Sequence, residues 1–433
     1  AQDFAGKLDG TVNLSGAFDA PVASFKLDTG FAKTAGLVSL RTDKRGGQQT
    51  VVLEKGEILP PNGGKLNVAA TLELFKDQKI QADIVSSGFN PQKLYPELPV
   101  GNINGRVRLN GLLAKTVFHA DMQFAPSVVQ GAALSGAGKV SYENGHLSRA
   151  DTNIRLGDNV LMTQGSFGKK GNTLALNLNA PALQQFGFGM RGALSAKGTL
   201  TNTADSWTQL EAAVTGQARN VLLPGDVRLN TLDFKVFGSP DTRRPLNISL
   251  QGKGLAAGGT VADHIDAALE GTLGAHRLRA AAGMKIDGKP LKLDVAANGG
   301  LDAQNQWHGT VGTLDVSGAL NLHLNQPMRL EAGAKRVVLG AAGWRALGGM
   351  LQLEKLVWDP QHGLTTKGRA DSLHFSQLHH FYTPPVEHNL VVAGDWDLAY
   401  SQSPRGYLNL RQQSGDITLP TRRKPQLGLK NFV

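Results

Sequence analysis

No cysteine occurs in the 433 residues. That excludes disulfide frameworks, thiolate metal sites and cysteine nucleophiles together, and it fits an oxidising compartment such as the bacterial periplasm. No run of 18 apolar residues is present, and Ala1-Gln2-Asp3-Phe4-Ala5 has neither the basic start nor the apolar stretch of a signal peptide. The chain opens without methionine and stops at Asn431-Phe432-Val433, where another apolar strand begins. We therefore expect an interior piece of a longer protein, with any anchor outside it. Aromatics are scarce at 6%, whereas the 53 glycines exceed the usual ~7%; glycine at that level serves turns, bulges and close backbone approach. A content of 41% hydrophobic and 18% charged residues is too apolar for disorder. Most informative is the lack of any long 3.6-period amphipathic helix that could cover a sheet.

Recognisable chemistry is also sparse. Gly187-Phe188-Gly189-Met190-Arg191-Gly192 spells a dinucleotide fingerprint, but the residues that follow, Ala193 to Leu200, read as a strand and not as the helix a pyrophosphate site needs. No Gly-x-Ser-x-Gly elbow, Walker loop or His-Glu-x-x-His occurs. Asp395 and Asp397 are the nearest approach to paired carboxylates, too little for an enzyme acting on polysaccharide along a β-helix. His374, His379, His380 and His388 form the one histidine cluster; with only Glu387 beside them and two of them sequence neighbours, they read as surface or capping residues and not as metal ligands. The net charge of +10 is densest at Arg422-Arg423-Lys424 and Arg243-Arg244, each running into a proline without interleaved aromatics. We read both as solvated turns, with no nucleic-acid partner. Trp307, Trp344, Trp358 and Trp396 lie within 90 residues of one another; they suit either an apolar wall or strand-end packing in which the indole N–H finds a partner. No cofactor or metal is expected, and no enzymatic activity.

What is present is one repeated phrase. Short runs of alternating apolar and polar residues, separated by Gly- or Asn-centred turns, give an oily face and a wet face. The oily positions form the candidate site: Leu66, Val68, Leu72 and Leu74; Ile80 and Ile84; Val107 and Leu109; Leu174, Leu176 and Leu178; Leu232, Phe234 and Val236; Leu246, Ile248 and Leu250; Leu291, Leu293 and Val295; Leu320, Leu322 and Leu324; Leu408 and Leu410. These are Leu, Ile and Val far more than large aromatics. A larger unit overlies the phrase: a strand, a short Pro- or Gln-bearing break at 89–98, 181–186 or 374–381, then another strand. Breaks of one or two helical turns punctuate a sheet without shielding it, and prolines 91, 96, 181, 384 and 385 fall in or beside them. We expect an all-β, elongated, twisted and open sheet, antiparallel-rich, as one repetitive rod over 1–433 with approximate modules 1–111, 112–198, 199–318 and 319–433. Roughly 35 to 40 strands of about seven residues, at about 4.8 Å each, would make a rod about 170 to 190 Å long.

Four phrases in order carry a resemblance: Trp307-His308-Gly309-Thr310-Val311-Gly312-Thr313-Leu314, then Pro327-Met328-Arg329-Leu330, then Gly348-Gly349-Met350-Leu351 up to Trp358, then Gly363-Leu364-Thr365-Thr366-Lys367-Gly368. The chain resembles the interior of the TamB family, inner-membrane-anchored subunits of the translocation and assembly module, within the AsmA-like group. The strand, break, strand modules extend the likeness over most of the chain, without the family's anchor or C-terminal domain. The resemblance implies a taco-like sheet whose apolar groove passes phospholipid between the inner and outer membranes. It also implies a periplasmic location and an outer-membrane barrel partner of the TamA type, met through parts outside this chain. Two rivals stand beside this reading: a closed β-solenoid scaffold, and a chaperone whose sheet edge templates strands of outer-membrane proteins.

Overall fold

The computed structural model describes residues 8–43, 47–380, 384, 386–418 and 426–429. Residues 1–5, Phe381, Pro385, the Arg422-Arg423-Lys424 cluster with Pro425, and Asn431-Phe432-Val433 lie outside these residues. Contacts divide the chain into two units, Ala1–Gly225 and Asp226–Val433. Twenty-eight strands pair in antiparallel ladders, fourteen in each unit, and a further short pair joins Glu387–His388 to Ile417–Thr418. The all-β, antiparallel expectation is borne out. Consecutive antiparallel pairing also excludes the solenoid rival, whose neighbouring strands would be parallel.

Local sequence explains the hairpins. Gln130-Gly131, Asn144-Gly145, Gly258-Gly259 and Asp287-Gly288 all hold positive φ at both positions, the two-residue turn whose twist matches that of the flanking strands. Residues just outside them are paired directly, as in Val129 with Ala132 and Ile286 with Lys289. The strands are fewer and longer than expected, commonly 11 to 13 residues, as in Lys79–Phe89 and Lys289–Leu301. The phrase Leu246 to Leu250, for instance, continues through Gly252 and Gly254 to fill Pro245–Ala257. Gly254, at φ 65, interrupts the pairing locally without shifting its register or ending the strand.

The three breaks are 3-10 turns at Pro91–Lys93, Leu183–Phe186 and Phe375–His380. In every case the strands on either side pair with each other: Lys79–Phe89 with Gly101–Leu112, Thr173–Ala180 with Arg191–Asn202, and Gly363–His374 with Val391–Tyr400. The breaks therefore sit at hairpin ends and leave the ladder whole. Leu183–Phe186 also caps one edge, where Phe186 packs against Val129, Ala132, Leu134 and Leu156.

One irregularity in the second unit has no counterpart in the sequence pattern. Trp307–Gly318 pairs with two short strands laid end to end, Met328–Gly333 and Leu322–Leu324. The next rank is likewise double, Arg336–Leu339 and Ala342–Ala346, and both of its halves pair with Gly349–Asp359. Around this split lies the buried cluster of the unit: Ala297, Val311, Leu324, Met328, Ala342 and Trp344.

Surface area shows how little is layered over the sheets. The chain exposes 25987 Å². A compact monomer of 45.9 kDa would expose about 16,000 Å², and two separate compact halves about 19,000 Å² together. The excess over even two compact halves fits open sheets, which no described pairing closes into a barrel.

Candidate functional site

Directly opposed residues of an antiparallel pair share a face. In the first unit Val68 and Leu72 lie opposite Ile84 and Ile80, and Leu66 opposite Ser86. Ile84 in turn faces Val107, and Ala82 faces Leu109. The register runs on through Met122, Gly138, Thr152 and Thr163 to Leu176. Leu174 and Leu178 stand beside Leu176 on the same face, opposite Leu200 and Ala196. Leu74, one residue beyond Lys65–Glu73, keeps the parity of Leu72. Every expected residue of this unit thus falls on one face, and each is half-buried.

The second unit repeats the arrangement. Leu232, Phe234 and Val236 oppose Gly252, Leu250 and Ile248, while Leu246 opposes Gly238. The face continues through Leu269 and Leu278, and then Met284, Ala282 and Ala280 meet Leu291, Leu293 and Val295. Leu293 opposes Val316, and Val316 opposes Leu322; Leu320 precedes that short strand in a bend. From Leu324 the run passes through Trp344, Leu351, Ala370 and Gly394 to Leu410, with Leu408 opposite Trp396. Leu408 and Leu410, on the last strand of the ladder, are the most open at 53% and 40% exposure. No Asp, Glu, Lys or Arg stands at any of these positions.

Large aromatics share the oily face with the Leu, Ile and Val residues expected there. Register places Phe25, Phe118 and Phe124 on it in the first unit and Trp307, Trp344, Trp358 and Trp396 in the second. These four tryptophans all stand on this face, and the N–H groups of two of them, Trp307 and Trp396, are partnered. The Trp307 indole donates to His276 Nε2 at 2.9 Å, and that of Trp396 to Thr366 Oγ1 at 3.1 Å. The rings lie over glycines: a Cβ added at Gly309 would meet Trp307 at 2.3 Å, and one at Gly368 would meet Trp396 at 2.5 Å. Residues such as Ile154, Leu161, Leu200 and Leu353 belong to the same face. They escaped the sequence reading because alanine and glycine dilute the alternation around them.

Charge collects on the opposite face. Asp83 takes the Arg106 guanidinium, Asp121 lies 3.5 Å from Lys139, and Glu354 lies 3.1 Å from Lys367. The hydrogen bond from Arg106 holds the Asp83 carboxyl below the usual range, and the bond to Glu354 holds Lys367 above its own. Asp395 and Asp397 also lie here, opposite Arg369 and Lys367.

The remaining candidates resolve individually. Gly187 follows the 3-10 turn and Arg191 opens a strand, so the glycine phrase meets no helix. Arg243 donates its backbone N–H to Asp241 at 2.9 Å in a surface turn. His379 and His388 are not separate surface residues: their Nε2 atoms are 3.1 Å apart and their rings pack edge to face. Burial, then the neighbouring His379, lowers the pKa of His388. Among the described residues no three His, Asp or Glu side chains gather where a metal could bind, and no helix is long and apolar enough to cross a membrane.

Comparison with curated proteins and with solved structures gives no match. The family model described as TamB, N-terminal domain, matches residues 32–432. With nearly its whole length matched, the chain belongs to the TamB family.

Proposed function

We propose that this chain forms part of a passive conduit in which the acyl chains of phospholipids lie on the apolar face while their headgroups stay in water, between the inner and outer membranes of a cell envelope. One observation carries the reading: a face kept apolar by register through each unit, without Asp, Glu, Lys or Arg at the expected positions, mostly half-buried, and covered by no helix longer than six residues among those described. Each methylene placed on such a face gains up to about 0.8 kcal/mol, and nearly the same at any rank, so a chain can slide with little net change. A fixed charged clamp would trap it, and the expected positions carry none.

The strand-templating alternative has one feature in its favour. The edge strand Asp9–Ala17 is exposed throughout and pairs only with Ala20–Asp28 among the described residues, and such an edge can accept a further strand.

The test is to purify the chain from bacterial cells, extract it with organic solvent and identify the lipids by mass spectrometry, with a photo-crosslinker at Ile248 in parallel. Several phospholipids per chain, crosslinked at 248, support the conduit. A stable, lipid-free chain overturns it, and crosslinking of outer-membrane polypeptides at Val12 would then favour templating.

A further inference from the structure

We propose that Trp344 is the gate of the apolar face in the second unit, the point at which a sliding acyl chain must displace protein to pass. The inference rests on the conduit reading. Elsewhere along the face the large side chains are mostly half-buried and open to an occupant, but at the split ranks they are closed on one another: Leu324 is 4% exposed, Met328 3% and Trp344 7%. Trp344 stands between Leu324 on one side and Leu351 on the other, and Met328 faces Val311. The largest apolar side chain therefore fills, together with its neighbours, the space over the sheet that an acyl chain would use.

Two features make this more than a locally dense core. The hairpin that carries Trp344 turns through Leu347 at φ 49, a left-handed position that disfavours leucine and that Asn, Asp or Gly fills in most of the other two-residue turns. A short strand of five residues held by such a turn is easier to displace than a 12-residue one. The other feature is contrast along the same face: Trp358, within the strand that pairs with both halves of the rank, is 41% exposed. Lipid can reach one indole and not the other. Passage rate, and not affinity, is then set at Trp344.

The whole chain, loaded with phospholipid brominated at mid-chain, tests this through tryptophan fluorescence, because bromine quenches an indole only in contact. Subtracting the emission of Trp344→Phe or Trp358→Phe from that of the unmutated chain isolates each indole at the cost of one conservative change. We expect strong quenching of Trp358 and at most a fifth as much of Trp344. We also expect Trp344→Leu to speed delivery of labelled phospholipid to phosphatidylethanolamine and phosphatidylglycerol vesicles at least threefold, with unchanged lipid per chain. Equal quenching of the two indoles overturns the gate, as does an unchanged delivery rate in a folded Trp344→Leu. Absence of bound lipid and of quenching at either position overturns the conduit itself. Should Trp344→Leu fail to fold, the quenching comparison still decides.

Discussion

Ile248 separates occupancy from folding most cleanly. It lies half-buried between Val236 and Leu269, so a carboxylate there can still reach water when the face is empty but is stranded under an acyl chain. Ile248→Asp should lower lipid recovered with the purified chain, or crosslinked to a probe at Leu269, at least tenfold while shifting the thermal midpoint by only a few degrees. Asn159 is the opposite case. At 2% exposure it donates to the Ala182 carbonyl and Gln185 Oε1, and accepts from the Ala182 N–H at 3.0 Å. Asn159→Ala leaves buried groups unmet and should cost about 2 to 3 kcal/mol in urea unfolding, with lipid occupancy per folded chain unchanged. His388 supplies a pH dependence. Its folded pKa is depressed by burial and then by His379, so the unfolded form binds the proton more readily. The stability it contributes is complete above the ordinary histidine value near 6.5 and is lost as pH falls below it. Protection against hydrogen exchange at the Glu387–His388 pair with Ile417–Thr418, corrected for the intrinsic base-catalysed rate, should therefore fall from pH 7 to pH 5, and His388→Gln should remove that loss.

At the scale of the strand, glycine and tryptophan act as pairs across ranks. Gly368 lies beneath Trp396, and an added Cβ would also approach the Gln352 carbonyl at 2.6 Å, so the ring and a backbone oxygen would both have to yield. Gly368→Val should destabilise the second unit by about 1 to 3 kcal/mol and red-shift the Trp396 emission as the indole leaves Thr366. Such pairs also show what the sequence could disclose. Alternation such as Leu291-Lys292-Leu293-Asp294-Val295 declares its faces locally because its period is two, and Pro91, Pro181 and Gln377 mark the breaks because proline and short polar runs cannot extend a ladder. The glycines misled. A glycine within an alternating run reads as a turn, yet Gly252 and Gly368 sit inside strands whose neighbours supply the missing side chain, and this is why fewer and longer strands exist than the phrase count implies. The split ranks were not legible at all. Nothing within Leu322–Leu324 or Ala342–Ala346 specifies that two short strands lie end to end, because that pairing is fixed by strands on either side. The tryptophans were visible as residues, but their shared face was not, since it depends on register across ranks.

For the molecule as a whole, the net charge of +10 and the charge-free face make opposite claims about what holds a lipid. If the basic residues captured anionic headgroups, occupancy would weaken as salt shortens the screening length from about 10 Å at 0.1 M to about 3 Å at 1 M. The register argues otherwise. Arg106, Lys139 and Lys367 lie on the far face, engaged with Asp83, Asp121 and Glu354, while the expected apolar positions are uncharged. Lipid recovered per chain, measured by mass spectrometry after washing in 0.1 M and 1 M sodium chloride, should differ by less than a quarter. Loose adhesion of the lipid-loaded chain to anionic vesicles, which does use the net charge, should fall severalfold over the same range. Retention should respond instead to chain length: at up to about 0.8 kcal/mol per buried methylene, two added carbons in each of two acyl chains should slow spontaneous loss of lipid to acceptor vesicles by up to about two hundredfold. If salt strips the lipid and chain length leaves its loss unchanged, the occupant is held by its headgroup and the apolar face has some other use.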